Sequence, residues 1–402
     1  SPCRITRGRT GAAVNARRVM IVAGEASGDL HGGNLVRAMH QIDPDLSFYG
    51  MGGKKMQTAG VELLADAADM AVVGLTEVVF KLGMILRVMR RLKSSLAKTP
   101  PDLVILIDYP DFNLPLARAA RRRGVKVLYY ISPQVWAWRK DRIDIIRNAV
   151  DRMAVILPFE EEFYRKAGVD VTFVGHPLLD EVRRKYPRDE ALKRFGLRDE
   201  AVTVAILPGS RKSEVARLLP EMLRACRILT EKISPLQFVL PLAGTLAPDF
   251  VRDILRQFPV RVNVIPDEIY DVIAVSDAAI VASGTATLET ALLETPMVVV
   301  YKVSGVSYAV GRRFIRVDHI SLVNLIAGRT VVPELIQDDA NPERIAAEVR
   351  ELINRRGKAR EMKLALAEIR GKLGTPGASR RTAQIACAML IRDRAPIYFP
   401  GK

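Results

Sequence analysis

Short apolar runs alternate with longer amphipathic stretches along most of the chain. The first run, Val19–Ala23, precedes a helical pattern, and the succession recurs at Leu103–Ile107 and Val125–Ile131. Such runs between helical patterns are typical of buried strands in βαβ units, because helices cover both faces of a parallel sheet. The pattern therefore predicts an α/β protein with parallel sheets.

A polar, highly charged segment interrupts this alternation at 180–200. Beyond it the strand-and-helix pattern resumes, and a chain of 402 residues is long enough for two domains. We predict a basic N-terminal tail at 1–18, one α/β domain at 19–182, a second at 183–375 and a last helical segment at 376–402. Two such domains facing a cleft suit an enzyme with two substrates, since ligands bind beyond the carboxyl ends of the strands.

Composition narrows the classes of partner without choosing one. Lys and Arg exceed Asp and Glu by 16, which favours an anionic partner such as nucleic acid, anionic lipid or a phosphorylated substrate. The three cysteines lie far apart, so we expect a reducing compartment and no zinc site. The basic tail lacks the apolar core of a secretory signal, and no apolar stretch reaches the ~18 residues of a membrane span.

One apolar run, Leu103–Ile107, ends directly on the carboxylate of Asp108, with Asp111 three residues later. A buried strand carries no charge at its end unless that charge is used, because an unpaired buried carboxylate is unfavourable. Two interpretations remain open for each acid. It is a general base facing a cleft, or it caps the helix that follows Pro110. For Asp111 a third remains, that it orients its neighbour.

The first strand is followed by the small-residue segment "GEASGDLHGG". Small residues let a ligand approach the backbone, and a helix N-terminus favours an anion. The alternative is a tight turn in which Asp29 caps its own helix. The candidate residues of this loop are Glu25, Ser27, Gly28 and Asp29.

Two loops of the second domain have the features of a diphosphate site. In "LPGSR", Arg211 offers a planar fork of donors and Ser210 a helix cap. In "SGTATLE", free backbone N–H groups and hydroxyls converge at a helix start, and Glu289 is placed to hold ribose hydroxyls. The cradle residues are Ser283, Gly284 and Thr285. An ordinary turn, with Thr285 as a simple cap, is the alternative.

Two further segments suggest contacts with sugar or lipid. Trp136 and Trp138, beside basic residues, can stack on a sugar or base, anchor at a lipid interface, or pack in the core. The stretch 71–93 is strongly apolar and then basic, which suits either the surface of an anionic membrane or a buried helix. Its candidate membrane residues are Val72, Leu75, Val79, Phe80, Leu82 and Leu86.

Together these motifs resemble those of the bacterial lipid-A-disaccharide synthases. "GEASGD", "IDYPDFN", "SPQVWAWR", "LPGSR", "ASGTATLE" and "NLIAGR" occur in that family's order and spacing, over nearly the whole chain. The resemblance implies two Rossmann-like domains facing a cleft, the GT-B glycosyltransferase fold. It also implies that the second domain holds UDP and that the last helix crosses back toward the first. The tail 1–18 and Val323, where some members have Pro, depart from the family pattern.

The resemblance implies a reaction as well. An inverting enzyme would join UDP-2,3-diacylglucosamine and 2,3-diacylglucosamine 1-phosphate, giving the β-1,6 lipid A disaccharide 1-phosphate and UDP. The resemblance implies that Asp108 is the catalytic base, with Asp111 as second candidate, and that Asn324 lies near the nucleotide. We expect no cofactor and no metal, and hence activity in excess EDTA. The lipid substrates imply a cytoplasmic protein, peripheral on the inner membrane of a Gram-negative bacterium.

Two other functions remain as alternatives. Another sugar-nucleotide enzyme, such as a UDP-N-acetylglucosamine 2-epimerase or a peptidoglycan-precursor transferase, would use the same diphosphate cradle. A basic nucleic-acid-binding protein is supported by the net charge of +16 and by little else. A requirement for acylated substrates would argue against the first alternative. Salt-sensitive binding to a nucleic-acid duplex would support the second.

Overall fold

A computed structural model describes residues 17–67, 78–133, 142–303 and 319–391, with side chains described except at 78–82. Seven parallel strands form the first sheet, in the order β3-β2-β1-β4-β5-β6-β7. They are β1 Arg18–Ala23, β2 Ser47–Gly52, β3 Val61–Asp66, β4 Leu103–Ile107, β5 Lys126–Tyr130, β6 Arg152–Val155 and β7 Val171–Phe173. The described helices of this part are α1 Ala26–Ile42, α2 Lys54–Thr58, α3 Val78–Lys98, α4 Pro110–Arg121, α5 Arg142–Ala149, α6 Pro158–Lys166 and α7 Leu178–Glu181.

Six parallel strands form the second sheet, in the order β10-β9-β8-β11-β12-β13. They are β8 Val202–Leu207, β9 Leu236–Leu242, β10 Val262–Pro266, β11 Ala278–Ala282, β12 Met297–Tyr301 and β13 Glu334–Ile336. The described helices here are α8 Arg188–Arg194, α9 Lys212–Lys232, α10 Pro248–Leu255, α11 Ile269–Val275, α12 Thr285–Leu292, α13 Leu322–Ala327, α14 Pro342–Asn354 and α15 Arg356–Lys372, with a 3-10 turn at Gln337–Asp339. The predicted α/β class with two parallel sheets is confirmed.

The central strands are apolar throughout because both of their faces are covered. In β1, Met20 and Val22 belong to the core on one face of the first sheet, and Val19 and Ile21 to the core on the other. Successive side chains of a strand point to opposite faces, so a strand with helices on both sides needs apolar residues at every position. This is why the strands appear in the sequence as unbroken apolar runs.

The last described helix, α16 Ala378–Ile391, packs on the first sheet. Ala383 and Leu390 lie in its core, and the Arg381 Nε donates to the carbonyl oxygen of Val174 at 2.7 Å. The domain limits remain a prediction. Among the helices of the described ranges, none is both long and apolar enough to span a membrane.

The strand order places four of the predicted loops at two switch points. Each sheet has one such point, where the order of its strands reverses. β1 pairs with β4 and β8 with β11, and the chain leaves each pair toward opposite sides of its sheet. Ligands of open α/β sheets bind at such switch points, beyond the carboxyl ends of the strands. The β1–α1 and β4–α4 loops therefore share one switch point, and the β8–α9 and β11–α12 loops share the other.

Candidate active site

Asp108 directly follows β4 in an uncommon backbone conformation. Its φ is 45° and that of Tyr109 is 46°, the left-handed region that residues other than glycine rarely adopt. Burial raises the pKa of Asp108 to about 6, helped by the nearby charge of Glu25 and opposed by a hydrogen bond from the backbone of Tyr109. The carboxylate is thus ionised at neutral pH but more basic than an ordinary Asp, as a general base should be.

Asp111 lies in a different environment, in the first turn of α4. Its side chain is 80% exposed and forms an ion pair with the guanidinium of Arg142. An acid in the first turn is favourable beside the helix N-terminus. The N-cap of α4 is Tyr109, without a side-chain cap among the described residues, so Asp111 is a first-turn acid and not the helix cap that the sequence left open.

The β1–α1 loop lies against the Asp108 turn. A Cβ built on Gly24 would meet Cδ1 of the Tyr109 ring at 2.2 Å, so the ring rests directly on this glycine. Of the predicted loop residues, Glu25 and Ser27 are exposed, whereas Gly28 and Asp29 are buried. Only the first two are free to meet a ligand through their side chains.

Asp29 has a structural role that differs from both interpretations of the sequence. Its carboxylate accepts hydrogen bonds from the backbone N–H groups of Gly53 at 2.7 Å, Lys55 at 3.0 Å and Met56 at 3.0 Å. It therefore caps the start of α2 rather than its own helix, and its side chain is committed away from the cleft. The cap on α1, which the sequence left open as one alternative, is not observed, because the fold brings a different partner segment beside Asp29.

Arg211 is the N-cap of α9, so the predicted cap by Ser210 is not observed. The Arg211 side chain is 75% exposed. Its guanidinium is 3.9 Å from the carboxylate of Glu25, so the donor-side loop meets the loop of the first sheet. The Glu214 carboxylate lies against the backbone of this loop, where a Cβ built on Gly209 would meet its Oε2 at 2.0 Å. Because a carboxylate repels an anion at that point, this loop offers a phosphate chiefly the guanidinium.

The β11–α12 loop offers free backbone amides instead. Gly284 is the N-cap of α12 and, within the described ranges, no side chain caps the helix, so the simple cap by Thr285 is not observed. Gly284 and Thr285 are exposed, and a Cβ built on Gly284 would meet no atom of the described residues within 4 Å. The Thr287 hydroxyl donates to the Gly284 carbonyl at 2.7 Å and steadies the loop. This open helix start suits an anion.

Glu289 lies one turn further along α12. Its carboxylate accepts a hydrogen bond from the Tyr270 hydroxyl at 3.2 Å, and burial raises its pKa. Asn324 is fully buried in α13, and its Oδ1 accepts from the N–H groups of Val331 at 2.7 Å and Val332 at 3.0 Å. Asn324 thus shapes the loop after its helix, and any effect on a nucleotide passes through that loop.

His31, His176 and Glu181 form a group of titratable side chains that was not among the predicted site residues. His31 Nδ1 lies 3.6 Å from Glu181 Oε1. Burial lowers the pKa of His31 to about 4, and burial with the charges of Glu289 and Asp180 raises that of Glu181 to about 7. Burial and His31 lower the pKa of His176 to about 3. Glu181 lies at the start of the polar segment 180–200, where no local signal marked it.

Several predicted residues lie outside the described residues. Trp136, Trp138, Val72 and Leu75 are among them, and for Val79, Phe80 and Leu82 only the helical backbone is described. Leu86 is described and is 45% exposed on α3. In the described ranges, no group of three His, Cys, Asp or Glu residues is arranged to hold a metal ion.

A family model described as lipid-A-disaccharide synthetase matches residues 19–389. The chain belongs to this family. It is 60% identical to the lipid-A-disaccharide synthase of Syntrophus aciditrophicus over 381 residues, which are 94% of this chain and 100% of that protein. The synthase of Geobacter sulfurreducens is 53% identical over 375 residues, covering 93% and 98%.

Solved structures of low sequence identity share the fold. The complex of Staphylococcus aureus MnaA with UDP matches with a TM-score of 0.63 at 14% identity, covering 95% of this chain and 100% of that one. MurG of Acinetobacter baumannii matches with a TM-score of 0.58 at 16% identity, covering 92% and 99%. These likenesses confirm the predicted GT-B fold.

Family membership makes the protein a hexosyltransferase of lipid A biosynthesis, with a sugar-nucleotide donor and an acceptor. The recognised family and enzyme class are confirmed. Neither the epimerase alternative nor the nucleic-acid-binding alternative is favoured.

Proposed function

We propose that the enzyme transfers a 2,3-diacylglucosamine unit from UDP to the 6-hydroxyl of 2,3-diacylglucosamine 1-phosphate, with inversion. The products are the β-1,6-linked disaccharide 1-phosphate and UDP. The proposal rests on one observation above all. Glu25 is in the loop that packs on the Asp108 turn, and it lies 3.9 Å from Arg211, in the loop after β8. The proposed base, Asp108, and the proposed phosphate-binding residue, Arg211, therefore face the same cleft.

The reaction is a single displacement. The acceptor oxygen bonds to the anomeric carbon as the bond from that carbon to the UDP oxygen breaks, and Asp108 takes the hydroxyl proton. Arg211 and the open N-terminus of α12 at Gly284 and Thr285 stabilise the charge that develops on the diphosphate. Glu289 accepts from the ribose hydroxyls, with its carboxylate oriented by Tyr270.

The direct test measures UDP released by the purified protein in detergent. We expect release only when both UDP-2,3-diacylglucosamine and 2,3-diacylglucosamine 1-phosphate are present. UDP-N-acetylglucosamine alone and either lipid alone are the controls. Conversion of UDP-N-acetylglucosamine without an acylated partner would contradict the proposal.

Glu25 is expected to tune the base. Burial comes first and the Glu25 charge second among the causes that raise the pKa of Asp108, so Glu25→Gln lowers that pKa. The base must be ionised to act, so the fall in kcat at low pH, centred near pH 6 in the wild type, moves to lower pH. Removing the ion-pair partner also frees Arg211, so the affinity for UDP rises.

Both effects are measured as a pH profile of kcat and as UDP binding by calorimetry. Glu231→Gln is the matched control, an exposed acid at the far end of α9, roughly 30 Å along the helix from Arg211. An unshifted acid limb in Glu25→Gln would contradict the electrostatic role.

We further propose that α3 contacts an anionic membrane surface, which would place the enzyme on the cytoplasmic face of the inner membrane. Leu86 is 45% exposed, and Arg87, Arg90 and Arg91 beside it are exposed as well. Exposed apolar residues flanked by basic ones favour the interface of an anionic bilayer. At that surface the enzyme would meet its acylated substrates.

The triple variant Arg87→Gln, Arg90→Gln, Arg91→Gln should bind anionic vesicles about a hundredfold more weakly, since each basic residue near such a surface is worth about 1 kcal/mol. Vesicle sedimentation at low and high salt measures this loss. The control changes the same charge in the second domain through three exposed residues: Arg350→Gln, Arg360→Gln and Lys363→Gln. Equal binding by the α3 variant and the wild type would exclude this surface.

A further inference from the structure

Two buried side chains hold the turn that carries Asp108. The Asn113 Nδ2 donates to the carbonyl oxygen of Asp108 at 2.7 Å and to that of Ile107 at 3.1 Å. The Tyr129 hydroxyl donates to the same Asp108 carbonyl at 2.5 Å. Both side chains are fully buried, so water does not compete for these hydrogen bonds.

The anchored carbonyl belongs to the peptide between two left-handed residues. Asp108 and Tyr109 have φ values of 45° and 46°. Non-glycine residues keep such a conformation only where surrounding contacts over-determine it, and they cluster at active sites. Two donors on one carbonyl fix the plane of this peptide and with it the direction in which Asp108 leaves the backbone.

The environment of Asn113 supports a specific task for its amide nitrogen. Its Oδ1 is buried with no hydrogen-bond partner among the described residues. An unsatisfied buried oxygen is unfavourable, and an apolar residue of similar size would avoid that penalty. What an apolar residue cannot supply is the pair of hydrogen bonds to the backbone at the end of β4.

We propose that Asn113 and Tyr129 are positioning residues for glycosyl transfer, which hold the Asp108 carboxylate where it takes the acceptor proton. This inference rests on the proposed function, in which Asp108 is the base. Neither side chain needs to touch substrate. Their effect is expected in kcat, because a base misplaced by about 1 Å can slow a reaction a hundredfold without changing substrate binding.

The test begins with two single variants. Tyr129→Phe keeps the ring and removes one donor, and we expect kcat to fall about tenfold. Asn113→Ala removes the other donor, and we expect a fall of about a hundredfold. The KM of each substrate should stay within about twofold of the wild type, and UDP affinity should not change. Tyr49→Phe, another buried tyrosine of the same sheet, is the matched control and should keep wild-type kcat.

A double-mutant cycle separates positioning from general stabilisation. If Asn113 acts through Asp108, then Asn113→Ala should have no further effect on kcat once Asp108→Asn is present. If Asn113 only supported the fold, Asn113→Ala would lower kcat by the same factor in the wild type and in Asp108→Asn. That additive result, or unchanged kcat in folded Tyr129→Phe and Asn113→Ala, would overturn the proposal.

The outcomes also separate this inference from the proposed base. Wild-type turnover by Asp108→Asn would overturn the base and the positioning role together. An inactive Asp108→Asn beside fully active Tyr129→Phe and Asn113→Ala would overturn the positioning role alone. Thermal unfolding and UDP binding confirm that each variant is folded. If Asn113→Ala does not fold, the kcat of Tyr129→Phe alone tests the positioning role.

Discussion

Asp108→Asn is expected to lower kcat by about 10²- to 10⁴-fold, the range that a positioned general base contributes. Asn has nearly the same shape, so the left-handed turn and the hydrogen bonds to its carbonyl should persist. The amide cannot take the acceptor proton. UDP affinity should therefore stay close to that of the wild type, because the donor site is built from the other sheet.

The measurement is a steady-state rate of UDP release with both lipids saturating, beside Asp111→Asn as comparison. Asp111 is 80% exposed and paired with Arg142, so its variant should keep kcat within a few-fold. The pH profile gives a second readout. The wild-type rate should fall as the pH drops through about 6, where Asp108 becomes protonated. Loss of turnover in Asp111→Asn with full turnover in Asp108→Asn would move the base to Asp111.

Arg211→Ala is expected to lower kcat by about 10²- to 10³-fold, as the loss of one preorganised donor to a developing charge does. The effect should be large because the Glu214 carboxylate lies against the backbone of this loop at Gly209. With a carboxylate there, the guanidinium is what this loop can direct at the diphosphate. UDP binding should weaken in parallel.

Arg211→Lys should recover only part of the rate, since an ammonium is a point charge without the planar fork. Arg227→Ala serves as the control, an exposed arginine further along the same helix. The measurements are kcat and the UDP dissociation constant by calorimetry. If Arg211→Ala keeps wild-type kcat, the diphosphate is stabilised elsewhere, at the α12 start first.

Much of the fold could be predicted because parallel sheets impose a pattern that is visible along the chain. Every position of β4 is buried, so the strand appears as an unbroken apolar run, and a charge at its end is conspicuous. Loops after parallel strands collect at one edge of a sheet. For this reason "GEASGD", "IDYPDFN", "LPGSR" and "SGTATLE" could be assigned to a cleft from their order alone.

Which residues meet across that cleft could not be predicted in the same way. Asp29 looked like the cap of its own helix, yet it caps α2, because strand β2 brings that helix start beside it. Glu181 came from a polar linker, yet it lies beside His31 with a raised pKa. Contacts of this kind depend on packing between segments far apart in sequence.

The amino-acid sequence by itself determined the α/β class and the family, and it singled out the loops in which we place the chemistry, because apolar periodicity and short motifs are local properties. Only the tertiary structure decided that Asp108 is a raised-pKa carboxylate in a left-handed turn, that Asn113 and Tyr129 hold its carbonyl, and that Glu25 faces Arg211. Burial and through-space charge set those properties, and both arise only when distant segments pack together.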